Sequence, residues 1–192
     1  MGDGAAAYRD HPPAEATFDQ LANLYQYDGD RDGLAALVAA HRKAAPADPL
    51  GTYWSAVVLY ERGEYAAAVG RFRDYLAVPR GDDEFVRYRW AVDDKTVRAL
   101  VRLGRGREAR EHTDVFEPGS HPQLRALALA ADGKAEAAAE VLTAAAEGRD
   151  WMVPGWYADA DLGPVLRGAA FRAFRDRHPP PAPGRVGDSD SR

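Results

Sequence analysis

The glycine at position 63 constrains this chain more than any other residue. It lies between two polar residues in "YERGEYAAAVGRFRDYL", residues 60–76, and helical patterns run up to it from both sides. After it, Tyr65, Ala68, Val69, Phe72, Tyr75 and Leu76 fall at offsets 0, 3, 4, 7, 10 and 11, a single apolar stripe on an α-helix. Arg71, Arg73 and Asp74 lie between them, on the water side. Before it, "GTYWSAVVLYERG" is also helical in pattern, with Trp54, Val57, Val58 and Leu59 as its apolar positions. A glycine just past a helix end takes the left-handed conformation without a Cβ clash. Residues 51–76 therefore predict a helical hairpin turned at Gly63. The small Ala56 and Ala68 let its two helices approach closely.

The same grammar recurs along the chain. Phe18, Leu21, Ala22 and Tyr25 form a stripe ending at Gly29, and Leu34, Leu37, Val38 and His41 follow before Pro46. Leu100 and Leu103 lead into Gly104, then Ala109, Thr113 and Phe116, with Pro118 after. Leu124, Leu127 and Ala128 lead into Gly133, then Ala135, Ala138, Leu142 and Ala145. Gly29 and Gly63 are 34 residues apart, Gly63 and Gly104 are 41 apart, and Gly104 and Gly133 are 29 apart. "AVPRGDDEF" is accordingly expected to be a longer loop and the fourth unit a shortened one.

These residues resemble the tetratricopeptide repeat, with its period of about 34 and its W-x2-L-G-x2-Y…A-x3-F…P pattern. Phe18-x2-Leu21-Ala22-x2-Tyr25 is similar to the first helix of that motif. Gly63-x-Tyr65-x2-Ala68-x3-Phe72 is similar to its turn and second helix, and Ala109-x3-Thr113 and Ala138-x3-Leu142 match more weakly. The resemblance covers roughly residues 16 to 147. It implies an all-α fold, a right-handed α-solenoid of about four antiparallel helix pairs.

"WYADADLGPVLRGAAFRAF", residues 156–174, looks like the D-x-D-L-x-P-L-R…F ending that follows many bacterial tetratricopeptide arrays. The last repeat has an apolar face that no further repeat covers, so a cap is expected. Trp151, Trp156, Leu162, Phe171 and Phe174 are its candidates. The expected organisation is a disordered or irregular leader over 1–14, a solenoid over 15–177 with its cap at 148–177, and a disordered tail over 178–192. The tail "HPPPAPGRVGDSDSR" has nothing to bury.

Composition supplies the exclusions. With 46% hydrophobic residues the chain is globular in composition. Cysteine is absent, which excludes disulfides, thiolate catalysis and Cys-based zinc sites. Arginine far exceeds lysine, there is no isoleucine, and Asn23 is the only asparagine. That bias suggests a GC-rich, bacterial genome. A net charge of −5 argues against a general nucleic-acid binder. The N-terminus lacks the basic and apolar regions of a secretory signal, and no stretch reaches the roughly 18 apolar residues of a membrane helix. A soluble cytoplasmic protein is expected.

No residue set carries a reaction. The 5 histidines show no HExxH or similar ligand spacing. The pairs Asp82-Asp83 and Asp93-Asp94 point about 100° apart on a helix and do not converge on one substrate. Asp82 and Asp83 are expected to cap a helix starting near Glu84, and Asp159 to cap the closing segment. "DGDRDG" has the look of a calcium loop but lacks the glutamate at its twelfth position, and reads as a turn. No G-x-S-x-G or phosphate-loop pattern is present. The chain is expected to be non-catalytic, with no cofactor and no metal.

In tetratricopeptide arrays the first helix of each repeat lines a concave groove. The resemblance implies Asp19, Asn23, Gln26 and Tyr27 there from the first repeat, and Tyr53, Val57, Tyr60 and Glu61 from the second. Asp94, Lys95, Arg98 and Arg102 would come from the third, and Gln123, Leu127 and Ala130 from the fourth. Tyr53 and Tyr60 are seven apart and share a face separate from Val58 and Leu59. Lys95, Arg98 and Arg102 fall at offsets 0, 3 and 7. Aromatic groups beside fixed positive charges suit an extended peptide with an acidic residue or free C-terminus. The partner-binding residues expected are Asn23, Gln26, Tyr27, Tyr53, Val57, Tyr60, Lys95, Arg98 and Arg102, and the partner is another protein. One variety of the family clamps a terminal carboxylate with Lys and Asn. Asn23 and Lys95 match it, whereas Asp19 and Trp54 do not. The alternative is an accessory nucleic-acid-binding subunit using the arginine-rich segment 87–110; an enzyme with an unrecognised site ranks last.

Overall fold

Four helices end at glycines with positive φ: Gly29 (+72°), Gly63 (+77°), Gly104 (+69°) and Gly133 (+76°). At Gly63 the amide donates to the Tyr60 carbonyl at 2.9 Å, and the next amide, of Glu64, reaches back to Leu59 at 2.9 Å. The same pair of bonds closes the turn at Gly29 (to Gln26 and, from Asp30, to Tyr25) and at Gly133 (to Ala130 and, from Lys134, to Leu129). Paired bonds of this kind satisfy the carbonyls a helix end leaves open.

The glycines also set a common register. Seven residues before them stand Ala22, Ala56, Val97 and Ala126; five after, Leu34, Ala68, Ala109 and Ala138; nine after, Val38, Phe72, Thr113 and Leu142. Every one of these is buried. At Gly29, Gly63 and Gly133 the helices on either side of the turn pack against each other, and the small side chains permit close approach.

The computed structural model describes residues 15–78 and 82–181. Among them are eleven α-helices and no strand. The chain divides into two compact units, Met1–Leu103 and Gly104–Arg192. Consecutive helices pack against each other within each unit.

The first unit holds α1 (Glu15–Tyr27), α2 (Arg31–Ala44), α3 (Pro49–Glu61), α4 (Tyr65–Ala77) and α5 (Asp82–Arg102). Helix α3 also touches α1 and α5. Its starts are specified locally: Asp30 caps α2 by accepting from the Gly33 amide at 2.8 Å, and Asp48 caps α3 by accepting from the Leu50 amide at 2.9 Å. The core is aromatic. Tyr53 packs its ring 4.6 Å from Tyr88 and 5.4 Å from Tyr75, centroid to centroid. The Trp54 indole N–H donates to the Asp19 carboxylate at 3.0 Å, which ties α1 to α3. His41 is stacked 3.6 Å from Phe18 and pairs with Asp48. That buried contact joins α1, the end of α2 and the start of α3.

The second unit holds α6 (Gly106–Thr113), α7 (Pro122–Ala131), α8 (Ala135–Ala146), α9 (Val153–Ala158), α10 (Leu162–Leu166) and α11 (Arg172–Arg177), with 3-10 turns at Asp150–Met152 and Ala169–Phe171. A Cβ on Gly106 would overlap the Ala131 carbonyl, so α6 begins directly against the end of α7. Arg110 strengthens that junction, donating to Asp132 at 2.8 Å.

The closing segment packs on this unit. Helix α10 touches α7, and the Ala169–Phe171 turn and α11 touch α8. Trp156, Leu162, Phe171 and Phe174 are buried, but Trp151 is 78% exposed and takes no part in the core. Asp159 accepts from the amides of Asp161 and Leu162 at 2.9 and 2.8 Å, opening α10.

Two boundaries differ from expectation. The stretch 77–85 is no long loop: α4 runs to Ala77 and α5 starts at Asp82. The 41-residue interval comes instead from α5, which is 21 residues long. The start of the tail is anchored, since the Tyr157 hydroxyl donates to the His178 carbonyl at 2.6 Å and the His178 ring lies 3.0 Å from Asp150. The expected leader, 1–14, and most of the tail, 182–192, lie outside the described residues.

Candidate partner-binding surface

The residues singled out from the sequence separate into two groups. Helix α3 carries apolar side chains on almost every side, so periodicity alone does not choose its inner face. Tyr53, at 4% exposure, and Val57, fully covered, point into the core of the first unit. They do not line an open surface, which corrects their placement. Val58 and Leu59 are half-buried instead. The physical reason is the ring cluster of Tyr75 and Tyr88, which draws Tyr53 inward between α4 and α5. Burial raises the Tyr53 hydroxyl pKa, and the neighbouring Tyr75 and Asp19 push it further up.

The second group comes together at one end of α3. Tyr60 and Glu61 occupy its last turn, Tyr65 opens α4 across the Gly63 turn, and α5 brings Lys95, Arg98 and Arg102. The Lys95 ammonium lies 4.9 Å from the Tyr60 ring centre. The Arg102 guanidinium lies 5.4 Å from the Tyr60 ring and 5.3 Å from the Tyr65 ring, and donates to the Tyr65 hydroxyl at 2.9 Å. Cations held over aromatic faces gain about 0.5–1 kcal/mol at exposed sites. Lys95 also lies 3.9 Å from Glu61, and Arg98 donates to Asp94 at 2.9 Å. The Tyr60 ring is itself buried, at 9% exposure, so it serves as the floor on which the cations rest, and Tyr65 is the half-buried ring beside them. The ledge can take a carboxylate on the cations and an apolar stem against Tyr65.

Helix α1 reaches this neighbourhood through Gln26, which lines a cavity of about 100 Å³ together with Glu61, Tyr25 and Arg31. Asn23 is exposed, and its amide donates to the Asp19 carbonyl one turn back at 2.8 Å. Tyr27 is 90% exposed at the end of α1. Asp19 is buried under Trp54. In the second unit Leu127 is buried, and Gln123 and Ala130 are half-buried. Tyr65 is the ledge residue that sequence reasoning assigned only to the core stripe. Its place two residues past the turn glycine is the signal that sets it beside Tyr60, at 5.5 Å.

The arginine-rich segment is extensively neutralised. In the first unit Arg89 pairs with Asp93 at 2.8 Å and Arg98 with Asp94 at 2.9 Å. In the second, Arg107 pairs with Glu111, Arg105 with Glu108, and Arg110 with both Asp114 and Asp132. Arg110 and Lys134 hold the Asp132 carboxyl below the usual carboxylate range. No group of three or more His, Asp or Glu side chains among the described residues is placed to hold a metal ion. No helix among them is long and apolar enough to cross a membrane. Compared with protein-family models, with curated proteins and with solved structures, the chain matches none.

Proposed function

We propose that this chain is a non-catalytic interaction module, an adaptor or assembly factor that holds a segment of a partner protein. The ledge of Tyr60, Tyr65, Lys95 and Arg102 carries this reading: the two cations rest on rings, where a partner's acidic side chain or C-terminus meets ordered donors and little rearrangement. The common register about four glycines supports the tetratricopeptide resemblance and, with it, a right-handed solenoid of stacked helix pairs. The pairing of Arg89, Arg98, Arg105, Arg107 and Arg110 with carboxylates weighs against a nucleic-acid surface, because counterion release needs unpaired cations.

The test is an affinity capture from the native lysate at low and high salt, with a Lys95→Glu/Arg102→Glu variant beside the wild type. One protein captured by the wild type at both salts and lost in the variant is the expected outcome. Nucleic acid captured only at low salt would overturn the reading.

A further inference from the structure

A second surface lies in the first unit, between α2 and α3, and shares no lining residue with the ledge. A cavity of about 590 Å³ is lined by Ala35, Ala36, Val38 and Ala39 of α2 and by Ser55, Val58 and Leu59 of α3. Asp32, Arg42, Arg62 and Arg71 complete the lining. On α2 the lining residues 32, 35, 36, 39 and 42 follow one helix face, and on α3 the residues 55, 58 and 59, with Arg62 just past its end, follow another. Two neighbouring helices thus present a shared trough about 10 Å long, at 1.5 Å per residue, apolar along its floor and charged at its ends. Such a trough receives the side-chain ridge of a third helix, and its alanines permit close approach.

The rim fixes the charge of what fits. Three arginines face one aspartate. Arg71 reaches Asp74 at 3.3 Å in an exposed pair. Arg42 and Arg62 have no carboxylate partner among the described residues. Val58 and Leu59 remain half-buried, with nothing in the unit completing their cover. We propose that this trough docks an acidic amphipathic helix of a partner protein, its apolar face on Ala36, Ala39, Val58 and Leu59 and its carboxylates on Arg42 and Arg62. The proposal does not depend on the ledge.

The experiment uses the full chain and two fluorescein-labelled helical peptides of about 16 residues, one with a leucine face flanked by glutamates, the other with lysine at every glutamate position. Anisotropy should show the glutamate peptide binding at least about tenfold tighter than the lysine peptide. Ala39→Trp, which fills the exposed floor, should weaken it about tenfold, and Arg62→Glu should reverse the preference. Circular dichroism and the melting temperature establish that both variants are folded. In a Lys95→Glu background the preference for the glutamate peptide and its loss in Ala39→Trp should both persist, which separates this proposal from the ledge. Equal binding of the two peptides, no binding, or loss in Lys95→Glu alone would overturn it. A concentration-dependent dimer abolished by Ala39→Trp would assign the trough to a second copy, and overturn it too.

Discussion

At Gly63 an added methyl would meet open space, yet φ is +77°. The cost of Gly63→Ala is therefore backbone strain alone, about 1 kcal/mol, and Gly63→Asn should recover part of it. Gly106 is the opposite case. Its backbone is ordinary, but a Cβ would overlap the Ala131 carbonyl, which cannot swing aside as a side chain would. Gly106→Ala should cost about 2–3 kcal/mol, because α6 must move off α7. Urea unfolding of both variants checks the order. Trp54→Phe removes the indole N–H from the buried Asp19 carboxylate while keeping most of the ring volume. It should lower stability by about 1–3 kcal/mol in the same assay.

Among the helices, α3 does most to organise the first unit, since it packs against α1, α2, α4 and α5. Tyr53 sits at its centre with a raised hydroxyl pKa. In the unfolded chain a phenol ionises near pH 10. Above that pH the unfolded state loses this proton while the folded state keeps it, so stability must fall as pH rises. Tyr53→Phe should flatten this alkaline limb in pH-dependent denaturant midpoints. In the second unit the sign is reversed. The lowered pKa of Asp132 stabilises the α6–α7 junction above the usual carboxylate range, and that contribution is lost as pH falls through its folded value. Asp132→Asn should make the acid limb shallower.

On the scale of the molecule, core and surface should respond differently. Phe72→Ala empties a fully buried site and should cost about 3 kcal/mol, whereas Lys95→Glu, which loses its contacts with Glu61 and the Tyr60 ring, should cost no more than about 1 kcal/mol while removing partner capture. Calorimetry of the two variants distinguishes a ledge from a core element. The sequence alone determined the helices, their glycine turns and the small or apolar residues at fixed distances from those turns. These are local properties: a 3.6-residue stripe and a left-handed glycine are written in adjacent residues. Helix lengths were less legible. The 41-residue interval reads as a long loop because Pro79, Gly81 and two aspartates look like a break, yet α5 opens at Asp82 and runs for 21 residues. The candidate surface was half legible. Lys95, Arg98 and Arg102 share a face by spacing alone, and Tyr60 meets them. Only the tertiary structure decided that Tyr53 and Val57 turn inward, Val58 and Leu59 toward a trough, and Tyr65 toward Arg102. Helix α3 is apolar nearly all round, so its own periodicity is silent on orientation, and the neighbours that bury each side select it.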